Sequence, residues 1–211
     1  MLLPRLLTSL DTTGLDYEIL ILDRTVSTDL THTLQSLSPK IRIINRSPTD
    51  CYGDAVRSGI KHSDGAFILF MDADGSHDPE FIETMLKWRS SSDVVIASRY
   101  IQGGGSFNGP LLKLMSLMVN LSYSIILNIP AKDVSNSFKL YNREVLKSLT
   151  LRSNNFDIIE EILYKALKNN RNLKIVEIPY FFKERIHGTT KRDLLSFSFS
   201  FLITLIRLRL S

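Results

Sequence analysis

Short apolar runs and segments of helical spacing alternate along most of the chain. Four apolar runs have the length and composition of buried strands, at residues 17–23, 41–45, 67–71 and 93–97. Helical spacing fills the intervals, at residues 2–10, 27–37, 53–62 and 79–89. Strands that alternate with helices in this way predict an α/β fold, in which right-handed crossovers place helices on both faces of a mostly parallel sheet.

The pattern changes after residue 98. The glycine-rich segment 102–106 predicts a flexible loop, either a gate over a site or a linker. Beyond it, two further strands are predicted at residues 137–141 and 174–180, and two further helices at residues 111–127 and 158–168. The last predicted helix, 194–210, is rich in phenylalanine and leucine and ends with Arg207 and Arg209. It fits two interpretations equally: a helix in a membrane interface, or a terminal helix that packs on the core.

The loop after the run 67–71 carries the strongest candidate chemistry. Asp72 and Asp74 follow a buried strand, and in open α/β sheets ligands bind at that end of the strands. If the loop is extended, both carboxylates leave on one side and can share a hard cation such as Mg²⁺, whose other positions go to water and phosphates. The alternative is that both aspartates cap a turn. Asp78 and Pro79 predict the cap and first position of the next helix.

Composition narrows the class of protein. The chain has 211 residues, 44% hydrophobic and 23% charged, as expected for one globular α/β domain. Its net charge of +4 is mild and no dense basic tract occurs, so nucleic acid is not a predicted partner. The single cysteine, Cys51, excludes an internal disulfide and fits a reducing compartment. No uninterrupted apolar stretch reaches the roughly 20 residues that span a bilayer.

Six segments, in one order and spacing, resemble a known family. They are DYEILILD (16–23), the helix from Gly53 to Gly59, MDADGSHDPE (71–80), DVVIASRY (93–100), KDVSNSFKLYNREVL (132–146) and KIVEIPYFFKERIHGTTK (174–191). Together they resemble glycosyltransferase family 2 of the GT-A type, and within it the polyprenyl-phosphate sugar transferases of the dolichol-phosphate mannose synthase kind. The resemblance implies a GT-A, Rossmann-like domain over residues 1–193, shortened at its N-terminus, followed by the helix 194–211.

The resemblance also implies roles for individual residues. Positions that match Asp72 and Asp74 hold Mg²⁺ or Mn²⁺ on the donor diphosphate, and the position that matches Asp23 lies by the nucleoside. Four cations match positions near donor or acceptor phosphates: Arg99, Lys113, Arg185 and Lys191. Guanidinium and ammonium groups suit phosphate oxygens. Of these residues, Asp74, Arg99 and Arg185 are the expected catalytic groups.

The expected partners follow from the same resemblance. They are a nucleotide-sugar donor of the GDP-mannose or UDP-glucose type, a lipid-phosphate acceptor and the cytoplasmic face of a membrane, with a homo-oligomer or a membrane subunit as further partners. The lipid acceptor favours the membrane-interface interpretation of helix 194–210. A lipid phosphate has a second pKa near 6, so it attacks without a strong general base, and the displacement would invert the anomeric centre. A hydroxyl acceptor on a polysaccharide or glycan would need a base, for which Asp133 and Asp157 are the candidates.

Three departures from the family pattern support a rival hypothesis. The chain begins at the helix that follows the family's first strand, and loss of that central strand predicts a gap in the sheet. Arg24 follows Asp23 where relatives have paired acids, and Ser76 stands where many have glutamine. The rival is a truncated or degenerate transferase fold that serves as a non-catalytic binding subunit.

Overall fold

The computed structural model describes residues 2–24, 27–45, 51–107, 109–183 and 194–210. Within these residues the helices are α1 (Leu2–Asp11), α2 (Thr28–Leu37), α3 (Tyr52–His62), α4 (Phe81–Leu86), α5 (Pro110–Ile126), α6 (Arg143–Lys147), α7 (Ile158–Asn169) and α8 (Leu194–Leu210). The strands are β1 (Ile19–Asp23), β2 (Ile41–Asn45), β3 (Phe67–Phe70), β4 (Val94–Ser98), β5 (Gly105–Ser106), β6 (Lys139–Asn142), β7 (Ile175–Pro179) and β8 (Phe181–Phe182).

The largest sheet has the strand order β3-β6-β4-β7. Strand β4 runs parallel to β7, whereas β6 is antiparallel to both of its neighbours, so β3, β4 and β7 all point the same way. A second sheet contains the parallel pair β1 and β2, and a third contains β5 and β8. The predicted α/β class and mostly parallel sheet are confirmed, with β6 as the reversed strand of the four-stranded sheet.

The strands are divided at the place where the sequence predicts a gap. Strand β1 pairs with β2 and β3 pairs with β6, but β1 and β3 belong to different sheets. Helix α3 covers both: a methyl group built on Gly59 would lie 3.1 Å from Leu22 Cδ1 and 3.9 Å from Phe70 Cε1. On the other side, Leu6 and Leu10 of α1 pack into the apolar clusters of both sheets. The two sheets are therefore joined through helices rather than through a shared ladder.

A local sequence signal explains where α2 begins, whereas α4 does not begin where its signal predicts. Ser27 caps α2 as predicted, since its hydroxyl accepts a hydrogen bond of 3.1 Å from the Leu30 amide. Helix α4 begins at Phe81, so the predicted cap at Asp78 was wrong. The Asp78 carboxylate instead binds the guanidinium of Arg5 at 2.6 Å and the Lys183 ammonium. A charge-assisted pair with two cations outweighs a cap to neutral amides.

Helix α8 packs on the main core through its described side chains. Leu205 and Leu208 are buried in the apolar cluster formed with β4 and α7, and Phe201 meets Tyr123 edge to face at 4.9 Å. These contacts favour the core-packing interpretation of this helix over the interfacial one. The boundary at residue 193 stays a prediction. Within the ranges described above, no helix is both long and apolar enough to cross a membrane.

Candidate active site

The loop after β3 turns sharply at its second aspartate. The Asp74 Oδ1 atom accepts hydrogen bonds from the Ser76 amide at 3.0 Å and from the Ser76 hydroxyl at 2.5 Å. Asp72 stays closer to the sheet, where its Oδ2 accepts from the Ser137 hydroxyl at 3.2 Å. The loop is therefore a turn, so the extended conformation on which the shared-cation argument depended is not present. Asp74 caps this turn, as the alternative interpretation expects. Both carboxylates remain at the rim of the sheet, where neither residue is fully buried.

Two buried rings hold this turn from below. His77 is 1% exposed, stacks on Phe138 at 4.5 Å and accepts a hydrogen bond of 2.9 Å from the Asp72 amide at Nδ1. Burial lowers the pKa of His77, so the ring is neutral. The Tyr180 hydroxyl donates to the Ser76 carbonyl at 2.9 Å, and burial raises the pKa of Tyr180 to about 12. The aspartate turn is thus fixed from below by neutral rings, which bring no positive charge of their own to it.

Arg99, directly after β4, is clamped by Asp133. The guanidinium Nε and Nη2 atoms donate to the two carboxylate oxygens at 2.8 and 2.7 Å, and the Arg99 amide donates to Oδ2 at 2.8 Å. The Arg99 side chain is 11% exposed and the Asp133 side chain 0%. Burial by itself lowers the pKa of Arg99, but the charge and hydrogen bonds of Asp133 more than offset it and raise that pKa. Arg99 is a fixed cation.

A second carboxylate orients the first. Glu177 on β7 accepts at Oε1 from the Asp133 amide at 2.9 Å and from the Ser98 hydroxyl at 2.7 Å, and at Oε2 from the Lys132 amide at 2.8 Å. It therefore fixes the backbone on both sides of the clamp: the end of β4 and the start of segment 132–136. The Glu177 network holds Asp133 in the position from which it holds Arg99.

Lys139 on β6 lies beneath the same segment with no exposed surface. Its ammonium donates to the Val134 carbonyl at 3.0 Å and to the Asn136 carbonyl. Burial lowers the pKa of Lys139 to about 8, although the charges of Asp133 and Glu160 act in the opposite direction. Lys139 thus fixes two carbonyl groups of segment 132–136 from inside the core.

Arg99 and Lys113 line one cleft of about 370 Å³. Gly104, Gly105 and Ser106 also line this cleft, and the last two form strand β5, which pairs with β8. The predicted flexible loop at 102–106 is in this way tied to the sheet. Leu114 and Leu117 of α5, with Phe181, supply an apolar side to the same cleft. The cleft therefore presents two cations beside a hydrocarbon wall.

Of the three remaining predicted site residues, the structure describes only Asp23. Asp23 is half-buried at the carboxyl end of β1. Its neighbour Leu22 meets Gly59 together with Phe70 of β3, so the carboxyl ends of β1 and β3 lie at the same edge. Arg185 and Lys191 lie outside the described residues, and their roles stay predictions.

The alternative candidates for a general base are engaged elsewhere. Asp133 has no exposed side-chain surface and binds Arg99. The Asp157 carboxylate accepts from the Thr204 hydroxyl and from Arg207, both at 2.9 Å, and so joins α7 to α8. A base must reach the proton it removes, which neither geometry favours.

The aspartate turn fits a divalent metal ion. Among the described residues, no three His, Cys, Asp or Glu side chains come together as a metal site. The turn itself offers two hard carboxylate groups, those of Asp72 and Asp74. This donor set suits Mg²⁺ or Mn²⁺ whose remaining positions are filled by water and phosphate oxygens, rather than Zn²⁺ in a closed protein site.

Sequence reasoning missed the residues that fix the site. Glu177 is a charged residue inside the apolar strand IVEIP, and Lys139 is the first residue of the strand KLYN. A charged residue in a predicted strand is the signal that could have found them. A charge in a buried strand costs free energy unless it is paired, so it predicts a network even before its partners are known.

The fold matches sugar-transferring enzymes of the GT-A class. One solved structure of similar fold is glucosyl-3-phosphoglycerate synthase from Mycobacterium tuberculosis, in complex with Mn²⁺, uridine diphosphate and phosphoglyceric acid. Its TM-score is 0.68 at 17% identity, over 97% of this chain and 72% of that chain. At this identity the likeness establishes the fold.

The sequence establishes the family. The family model described as "Glycosyl transferase family 2" matches residues 1–150, and the chain belongs to this family. It is 33% identical over 186 residues to the dolichol-phosphate mannosyltransferase of Pyrococcus furiosus, covering 84% of this chain and 51% of that protein. It is 28% identical over 170 residues to the undecaprenyl-phosphate mannosyltransferase of Micrococcus luteus, covering 77% and 69%. The chain thus spans about half the length of the first of these relatives.

Proposed function

We propose that the chain transfers a sugar from a nucleotide-diphosphate sugar, of the GDP-mannose or UDP-glucose type, to a polyprenyl phosphate on the cytoplasmic face of a membrane. The observation that carries the proposal is the pairing of a negative turn, Asp72 and Asp74, with a cleft that contains Arg99 and Lys113 beside an apolar wall. The turn suits a donor diphosphate with its metal ion. The cleft suits an acceptor that is anionic at one end and hydrocarbon at the other.

The buried state of Asp133 supports a phosphate acceptor over a hydroxyl acceptor. A phosphate oxygen that is already ionised attacks the anomeric carbon as the bond to the diphosphate breaks, so no base is required and the centre inverts. Arg99, fixed by Asp133, and Lys113 would hold the acceptor phosphate, and Asp23 would lie by the nucleoside. A divalent ion on Asp72 and Asp74 would stabilise the charge of the leaving diphosphate.

Titration calorimetry with UDP-, GDP- and CDP-sugars, with and without Mn²⁺, tests the donor half of the proposal. We expect metal-dependent binding of one nucleotide sugar, and its loss in the variant Asp72→Ala/Asp74→Ala. The matched control is Asp29→Ala/Glu83→Ala, which removes one exposed carboxylate from α2 and one from α4 and should leave binding unchanged. The acceptor half is tested by transfer of labelled sugar to a short polyprenyl phosphate, with Lys113→Ala as the variant expected to lower the rate.

The divided sheet favours one rival, a non-catalytic binding subunit of the same fold. Among the strands of the described ranges, β1 pairs only with β2, so the nucleoside half of the site rests on a two-stranded sheet. Absence of nucleotide binding by a chain shown to be folded would overturn the transferase proposal and leave the binding subunit as the interpretation.

A further inference from the structure

Helix α5 is oriented with its apolar side toward solvent. Eight large residues on it are 43–69% exposed, including Leu112 and Ile126. The other six share one side of the helix, and we call them the α5 face: Leu111, Leu114, Leu117, Met118, Leu121 and Ile125. Their spacing of three and four residues places them on one side of the helix. The opposite side carries Asn120, which is fully buried and bonds the Ser116 carbonyl at 2.7 Å and the Ser135 hydroxyl at 2.9 Å. This is the reverse of an ordinary surface helix.

The α5 face continues into the candidate site. Leu114 and Leu117 belong to the face and also line the cleft that contains Arg99 and Lys113. At the mouth of the cleft the exposed rings of Phe107 and Phe181 pack edge to face at 4.9 Å, which extends the apolar surface. A molecule with a phosphate in the cleft can therefore lay its hydrocarbon part along α5 without crossing a polar surface.

The charges around the face suit an anionic lipid surface. Helix α5 contains no Asp or Glu, and its single charge is Lys113. Helix α8, which packs on the buried side of α5 through Phe201 and Tyr123, also contains no carboxylate. In its last turn Arg207 pairs with Asp157, whereas Arg209 is exposed. Basic residues beside a continuous apolar face are the features by which helices bind the interface of anionic membranes.

The length of α5 distinguishes lying on a bilayer from spanning it. Its 17 residues correspond to about 25 Å, whereas the hydrocarbon core is about 30 Å thick. Its buried side is also occupied, since Asn120 and Tyr123 are engaged with the rest of the domain. Only one side of the helix is available, and that side can be immersed to the depth of its side chains.

We propose that the α5 face docks in the interface of an anionic bilayer and so aims the cleft of Arg99 and Lys113 at the lipid headgroups. This inference rests on the proposed function for the identity of the acceptor, and it assigns the membrane contact to α5 rather than to the C-terminal helix. The face would bury its leucines, methionine and isoleucine among the acyl chains, while Lys113 stays at headgroup level.

Vesicle flotation with the full chain tests the docking. The vesicles contain phosphatidylcholine with or without phosphatidylglycerol, and the variant is Met118→Glu/Leu121→Glu/Ile125→Glu, which spares the residues that line the cleft. We expect vesicle binding to fall by about tenfold or more, because burial of several large apolar side chains is lost. The matched control is Leu15→Glu/Leu37→Glu/Trp88→Glu, three exposed apolar positions elsewhere, which should bind vesicles within about twofold of the parent.

Two further measurements separate the possible outcomes. Donor binding, measured by calorimetry, should be unchanged in both triple variants. A parent protein that binds donor but no vesicles would overturn the docking and leave the proposed function standing. A parent that binds vesicles but no donor overturns the function while the docking holds. Light scattering tests whether a second copy of the chain covers the α5 face instead. If the parent is a dimer that binds no vesicles, and the α5 variant is a monomer, the bilayer is not the occupant of the face.

A fluorescence reporter keeps the test independent of the glutamate variants. Met118→Trp in a Trp88→Phe background leaves one tryptophan, on the α5 face. We expect its emission to shift to the blue and to be quenched by brominated acyl chains when anionic vesicles are added. A tryptophan that remains solvent-exposed with vesicles bound would place the contact elsewhere and contradict the inference.

Discussion

The carboxyl ends of β4 and β1 both carry predicted site residues, yet their surroundings differ. All five residues of β4 are buried, with a paired strand on each side, and Arg99 follows them into a network of fixed partners. Only Ile19 of β1 is buried, and the strand pairs on one side within the described ranges. The candidate site is therefore held by many fixed partners where it would receive the acceptor phosphate, and by few contacts where it would receive the nucleoside.

The largest expected effect comes from breaking the buried clamp on the β4 side. Asp133→Asn keeps the shape of the side chain but leaves the guanidinium of Arg99 buried without this counter-charge. We expect a loss of about 3–5 kcal/mol in the free energy of unfolding, measured by urea denaturation. Asp16→Asn, an exposed aspartate just before β1, is the control and should change stability by less than about 0.5 kcal/mol. A loss below about 1 kcal/mol for Asp133→Asn would contradict the clamp.

The buried ammonium of Lys139, on the same side as β4, should make the stability of the fold depend on pH. Its folded pKa of about 8 lies below the ordinary lysine value of 10.5, so the unfolded chain binds more protons between these values and stability rises with pH across that window. Below pH 8 both states are protonated and the cost is fully present. We expect the rise to amount to roughly 1–3 kcal/mol and to be absent in Lys139→Met. Parallel curves for the two proteins between pH 8 and 10 would contradict the buried ammonium.

Glu177→Gln weakens the support of the clamp without removing the clamp itself. An amide cannot accept with both ends, so one of the Lys132 and Asp133 amides loses its acceptor. We expect a loss of about 1–3 kcal/mol by denaturation, with transfer rate reduced more than donor affinity. The control is Glu144→Gln, whose side chain is 78% exposed and should have little effect. Equal losses in the two variants would show that Glu177 positions nothing.

The smallest effect is expected on the β1–β2 side. Arg42 pairs with Glu18 at 2.6 Å and with Asp64 at 2.9 Å, but its side chain is 43% exposed. Water and salt screen such pairs, so Arg42→Ala should lower the free energy of unfolding far less than Asp133→Asn does. The loss should shrink further when salt is raised to about 0.5 M. A loss comparable to that of Asp133→Asn would mean that this edge is not the weaker one.

The fold was more predictable from the sequence than the orientation of the site. The strand runs were identifiable because buried parallel strands need apolar residues at every position, and the gap before β3 followed from comparison with the family pattern. A turn at Asp72 and Asp74 was one of two open interpretations. The sequence could not decide which aspartate caps it, because that depends on the hydrogen-bond partners of each carboxylate. The capping of α4 was also missed, since Arg5 lies more than 70 positions away and its pairing with Asp78 arises from tertiary packing.

The exposed side of α5 was equally beyond sequence reasoning. An apolar segment of 17 residues predicts a helix, but its periodicity does not say which side meets the protein. The buried side holds Asn120, whose amide finds both a donor and an acceptor at Ser135, and Tyr123, which packs in the main core. These tertiary partners fix the orientation, and the periodicity alone does not show them.

The β1–β2 pair and the four-stranded sheet meet across helices α1 and α3, and we expect them to open as separate units of unfolding. Because the described strands β1 and β3 share no ladder, amides of β1 and β2 should exchange with deuterium through local openings that leave β4 protected. A donor that binds Asp23 on one unit and the Asp72 turn on the other would couple them, and exchange in β1 should slow more than exchange in β4. The bound donor would then make the two sheets open together, as one cooperative unit.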